Sequence, residues 1–169
     1  RTTKTDGNGI PQIRSAGGTV SKKLTHVVYT RDAKGSARIF VDGRRGSDEK
    51  VRGDFSNWSG AFRLGLANEL TGERPWLGTF RLAAIYSRAL TPAEVVGNFK
   101  AGAGAPIVRV AAAKDAAAST PAETSSSSSA RVGRGLLAFY DFSSTSGALV
   151  KDRSGVGEPV NLRISNPDA

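Results

Sequence analysis

The chain has 169 residues, 38% of them apolar, a net charge of +9 and no cysteine. That length suits one ordinary domain, and the missing thiols exclude cysteine-based zinc sites, iron–sulfur clusters, thiol catalysis and disulfides. No window approaches the ~18 apolar residues of a membrane span, so none is expected.

Most of the positive charge lies in the first hundred residues. It reads as a solvated surface or as attraction to polyanions such as acidic polysaccharide. No compact basic run or aromatic strand interleaved with Lys and Arg occurs, so nucleic acid is not an expected partner. No signal-peptide pattern is visible, which for a fragment says nothing about export. Oxidising compartments permit disulfides without requiring them.

In chain order, "LTHVVYTRD" (24–32) is rich in β-branched residues and ends at the turn "DAKGS". "ARIFVDGRR" alternates next, with Ile39 and Val41 on one face and Arg38, Phe40 and Asp42 on the other. Two strands about a short Gly-containing connection predict a β-hairpin, and Asp42-Gly43 predicts a further tight turn with Gly43 at positive φ. "AFRLGLANE" alternates again through Phe62, Leu64 and Leu66, and a strand is expected over 78–86. Strands at such spacing predict a β-sandwich.

"TPAEVVGNFKAG" predicts one short helix, with Thr91 as N-cap, Pro92 at the first helical position and Glu94 closing a capping box. Val95, Val96 and Phe99 form its apolar stripe, and Gly102 can end it. Residues 103–133 shift to Ala, Ser, Thr and Pro, with "SSSSS" at 125–129, and read as a flexible linker. Residues 134–169 return to strand-like sequence. Over 136–142, Leu137 and Phe139 alternate with Leu136, Ala138, Tyr140 and Phe142. A strand apolar on both faces is expected to lie covered from both sides, paired with the first part of the chain or with a neighbour's.

The order "THVVYTRDAKGSARIFVDG", "RLGLANE" and "WLGTFRLAAIYSRALTPAEVVGNFKAG" resembles the back half of a laminin-G-like, concanavalin A-like jelly-roll domain. "GLLAFYDFSSTSGALVKDRSGVGEPVNL" resembles the front of the same kind of domain, with its Tyr140-Asp141-Phe142 strand and Asp152-x-Ser154-Gly155 turn. The resemblance implies an all-β, antiparallel jelly-roll sandwich, incomplete or circularly arranged, with one short helix near 91–101. Residues 1–102 would form the rear half and 103–133 the linker. Residues 134–169 would supply front strands, either opening a second copy or completing the same domain. Similar tandem domains occur in large exported bacterial proteins. An extracellular, cell-surface or periplasmic place is therefore expected, and strand exchange with another copy is an open alternative.

This fold serves lectins, adhesion modules and glycoside hydrolases, so the site must decide. Retaining hydrolases of this fold usually carry carboxylates at alternate positions of one strand. No Asp/Glu pair stands at i and i+2. Asp48 and Glu49 are adjacent, and Glu69 and Glu73 flank a turn. A glycoside hydrolase fragment is thus the least favoured reading, and no catalytic residue is assigned. His26, the only histidine, lies mid-strand without a nucleophile motif and is expected to be a hydrogen-bonded strand residue.

Calcium is the one cofactor the resemblance admits. It takes six to eight oxygen ligands, and the matching positions are Asp152 in "DRSG" and Asn68 in "ANE". The alternative for Asp152 is an Asx-turn. Trp58 in "FSNWSG" and Trp76 in "ERPWLG" occupy loop-like contexts, and each could stack on a sugar or cover an end of the core. The expected function is a non-catalytic module binding carbohydrate or another surface ligand, such as a surface protein. The alternative is a structural or adhesion spacer.

Overall fold

A computed structural model describes residues 2–6, 10–19, 21–61, 64–66, 78–108, 130–143 and 147–164. The first sheet is an antiparallel meander of β1 (Val27–Arg31), β2 (Ser36–Val41) and β3 (Arg44–Lys50). In the β1–β2 turn the Asp32 carboxylate accepts the Ser36 N–H at 2.9 Å, and the Gly35 N–H reaches the Asp32 carbonyl at 3.0 Å. The β2–β3 turn is Asp42-Gly43, with φ of 49° and 76°. Positive φ at both central residues is what a two-residue hairpin matched to strand twist demands. Strand pairing slips once, between Ile39 and Phe40, where Arg45 and Ser47 take successive partners.

β3 is a charged, mostly exposed edge strand. Arg38 and Arg45 both pair with Asp48, at 3.0 and 2.9 Å. Such side chains discourage pairing with another chain.

The strand expected over 78–86 is shorter, β4 (Ala83–Tyr86). The helix α1 (Pro92–Ala101) follows with its capping box complete. Thr91 Oγ1 accepts the Glu94 N–H at 3.2 Å, and Glu94 Oε2 accepts the Thr91 N–H at 2.8 Å. Gly102 closes the other end, its N–H on the Phe99 carbonyl at 3.1 Å.

The apolar stripe expected of this helix needs correction. Val95 is fully buried, but Phe99 is 40% exposed, while polar Asn98 is only 3% exposed. Val95, Phe40 and Leu90 form the buried cluster, flanked by Val28, Tyr86 and Val132. The helix is rotated so that Asn98 faces the chain arriving from the C-terminal part. Phe99 lies instead beside His26, 5.9 Å between ring centroids.

The stretch read as a linker is structured at both ends. β5 (Ile107–Val108) and β6 (Arg131–Val132) lie inside 103–133 and pair in parallel. β-branched side chains favour strand at both places. The Arg131 N–H reaches the Pro106 carbonyl at 2.9 Å, and its guanidinium donates to the Gly102 carbonyl at the C-terminal end of α1, where a cation complements the helix dipole. Residues 109–129, including the serine run, lie outside the described residues.

β7 (Leu136–Tyr140) pairs antiparallel with β4, Ala83 opposite Tyr140 and Ile85 opposite Ala138. Both faces of β7 were expected to be covered. Leu136, Ala138, Phe139 and Tyr140 are buried, but Leu137 is exposed. Among the described residues β7 pairs with one strand, and on its second face Phe139 is buried while Leu137 is exposed. β8 (Leu149–Val150) and β9 (Leu162–Arg163) form a small antiparallel pair. Within "AFRLGLANE", residues 64–66 lie in no strand, and Phe62 is outside the described residues.

The architecture is therefore strands in mostly antiparallel sheets with one short helix, an incomplete all-β sandwich. Among the described residues no helix is long and apolar enough to cross a membrane.

Candidate functional site

Among the described residues, the loop after β3 carries the most exposed aromatic pair. Val51 N–H bonds the Gly35 carbonyl at 2.9 Å, tying the loop to the β1–β2 turn. Gly53 then turns the chain at φ 82°. Arg31 braces the bend, its guanidinium donating to the carbonyls of Gly53 and Val51. The Asp54 carboxylate accepts the N–H and hydroxyl of Ser56 at 3.0 and 2.7 Å. Those hydrogen bonds from Ser56 hold its pKa below the ordinary value.

The N-terminal residues clamp the loop from the other side. The Thr2 hydroxyl donates to the Arg52 carbonyl at 2.7 Å, and the Thr3 N–H donates to the Asp54 carbonyl at 2.9 Å.

On this frame Trp58 N–H closes a turn to the Phe55 carbonyl at 2.8 Å. The two rings meet at 4.8 Å between centroids and 57° between planes. Arg31 lies over the Phe55 ring, 4.9 Å from its centroid, a cation on a π face. Trp58 is 58% exposed and Phe55 42%. The Trp58 ring is thus more than half exposed beside Phe55, and sequence reasoning missed that contact. "FS" before Trp58 hinted at Phe55, but nothing local links Arg31 to it. Trp76, the other expected platform, lies outside the described residues, as do Asn68, Glu69 and Glu73.

Asp152 occupies its expected turn but is surrounded by donors. Oδ1 accepts the N–H groups of Phe139 at 3.0 Å and Ser154 at 2.8 Å, and Oδ2 accepts that of Val160 at 3.2 Å. Burial alone would raise its pKa, but these N–H groups outweigh it and hold the pKa below the ordinary value. Asn161 turns its Oδ1 toward the Asp152 N–H at 2.9 Å. A calcium site needs converging oxygens, whereas here N–H groups converge. Among the described residues no three acidic or imidazole side chains gather to hold a metal. The residues around Asp152 therefore do not fit calcium; the Asx-turn does.

His26 exchanges two hydrogen bonds with Asp42: its N–H reaches Asp42 Oδ1 at 2.8 Å and its carbonyl takes the Asp42 N–H at 2.8 Å. Its ring is not bonded as expected, because buried Nδ1 lacks a partner among the described residues. Burial lowers its pKa, reinforced by the nearby charge of Arg131.

Antiparallel strands with a buried cluster between sheet and helix, and exposed aromatics on a loop, define an all-β module of lectin-like build. The laminin G family model described as the concanavalin A-like lectin/glucanases superfamily matches residues 1–96, and the chain belongs to that superfamily. The description joins lectins with glucanases, so membership spans both binding and hydrolysis. No curated protein and no solved structure matches the chain.

Proposed function

We propose that this chain is a non-catalytic carbohydrate-binding module of an exported bacterial protein, working at the cell surface, outside it or in the periplasm. The observation that carries the proposal is the Phe55–Trp58 pair, exposed yet fixed by Arg31 and the Asp54 turn. A flat indole held in place loses little entropy when a sugar ring stacks on it. The non-catalytic part is supported by the structural duties of four of the described carboxylates. Asp48 sits in ion pairs, Asp54 and Asp152 in turns, and Glu94 in the helix cap. Placement outside the cytoplasm rests on the likeness to tandem modules of exported proteins.

Residues 134–169 belong to this module as front strands that complete it within one chain. The β4–β7 ladder supports self-completion over strand exchange with another copy.

A glycan array run with and without chelator, followed by titration of its hits, tests the function. Trp58→Ala should weaken glycan binding by about tenfold or more while leaving the fold intact. Chelation should change nothing. If no glycan binds, or Trp58→Ala binds as the parent does, the reading fails and a structural or adhesion spacer takes its place.

A further inference from the structure

A pocket of about 520 Å³ opens where the chain leaving α1 meets the end of β7. That volume falls in the range of small-molecule sites. One wall is the chain at 103–107; the other carries Phe139, Asp141, Ser143 and Arg153. The pocket includes neither Phe55 nor Trp58, and every residue named in it lies beyond the family match.

Its polar groups are held by backbone. The Arg153 N–H donates to the Phe139 carbonyl at 2.8 Å, fixing the turn against β7. Phe142 adopts φ 46°, a conformation bulky residues avoid. Its ring stacks near Phe80 at 5.8 Å and packs toward Tyr140 at 6.5 Å. This reversal returns Ser143 to Asp141, whose Oδ1 accepts the Ser143 hydroxyl at 2.9 Å and N–H at 3.2 Å. Asp141 Oδ2 meets Arg153 Nη1 at 3.2 Å. Backbone strain held by packing is a reason to look for a function.

We propose that this pocket is a second sugar site, taking one or two uncharged rings through the Asp141–Arg153 pair. The two charges cancel, so an anion meets the carboxylate and a cation meets the guanidinium. A neutral diol suits both: one hydroxyl donates to Asp141 and its neighbour accepts from Arg153. Phe139, Pro106, Ile107, Ala103 and Ala105 give the ring's apolar face a surface to lie against. The site stands apart from the Trp58 platform, and the two are tested separately.

The test is a titration of the full chain, followed by amide resonances, with cellobiose, maltose and lactose, and with glucuronate and glucosamine as charged controls. At least one disaccharide should move the amides of Gly104, Ser143 and Arg153 saturably, and the charged sugars should not. Arg153→Gln should weaken that binding about tenfold. A Cβ added at Gly104, which lines the pocket, meets nothing within 4 Å. Gly104→Phe should therefore leave the other resonances in place and abolish the shifts by filling the mouth. Trp58→Ala should leave them unchanged.

The proposal is overturned if no disaccharide moves these amides at tens of millimolar, or if both pocket variants respond as the parent does. It is equally overturned if the charged sugars bind as well as the neutral ones, or if Trp58→Ala removes the shifts.

Discussion

Asn98→Ala probes the seam between the family-matched part and the C-terminal strands. Asn98 Oδ1 accepts the Val132 N–H at 2.9 Å, and Nδ2 donates to Tyr86 Oη at 3.4 Å. Tyr86 Oη in turn donates to the Val132 carbonyl at 2.8 Å. Truncation strands the Val132 N–H where water reaches it poorly, at about 1–3 kcal/mol. The contact to Tyr86 is long and adds little. Loss of the packed amide adds a small cavity, so the whole change should cost about 2–3 kcal/mol. Urea unfolding should report this as a lower midpoint at unchanged slope. Tyr86→Phe should cost about 1 kcal/mol. The double variant should lose less than the sum, because both side chains hold one residue. Hydrogen exchange should quicken at Val132 and Leu136 before it does in β1–β3. A loss below about 0.5 kcal/mol with unchanged exchange at Val132 would refute the idea that Asn98 fastens the C-terminal strands.

The pKa of Glu94 is lowered from 4.5 to about 2, chiefly by Arg88, whose guanidinium meets both carboxylate oxygens at 2.5 and 2.8 Å, and also by the Thr91 cap. A depressed carboxyl stabilises the fold fully above its unfolded value and ceases to do so as pH falls through about 2. Melting curves of parent and Glu94→Gln should thus be separated at neutral pH and converge in acid; parallel curves would show that the ion pair does not stabilise the fold. Gly53→Ala should lower stability by about 2 kcal/mol and free the N-terminal clamp. A Cβ there would sit 2.8 Å from the Lys4 nitrogen and Thr3 Oγ1, on a φ of 82°. Unchanged exchange at the Thr3 amide would contradict this.

Local grammar carried far into the fold. Thr91, Pro92 and Glu94 specify a helix start because every partner lies within four residues. Asp42-Gly43 specifies its turn for the same reason. β3 escaped notice because "RRGSDEK" has no apolar alternation; it is held by backbone bonds to β2 and buries almost nothing. Phe99 belongs to the expected stripe because it is apolar, yet Asn98 is the buried residue, and its partner Val132 stands 34 residues away. Asp152 is a calcium candidate only through its matching position in the resemblance, whereas its hydrogen bonds come from three amides, those of Phe139, Ser154 and Val160. Trp58 was legible as a loop aromatic, but its support by Phe55 and Arg31 depends on how the loop folds back. Asp141 and Arg153 are twelve residues apart and show no motif; only the turn docked on β7 brings them together.

The pairing of β4 with β7 also sets a clock on synthesis. β4 and α1 leave the ribosome well before the strand that covers them. β7 follows roughly fifty residues after β4, a delay of about 2.5–10 s at about 5–20 residues per second. Hairpins such as β1–β2 form in about 1–10 μs. The nascent chain therefore spends almost all of that interval with its first sheet made, the β4 edge bare, and Tyr86 and Asn98 without Val132. During those seconds the edge is open to any passing strand. A chaperone that shields extended apolar edges would act on this chain during that interval, before release. Slower codons across residues 109–129 would lengthen the exposure without altering a single residue of the finished protein.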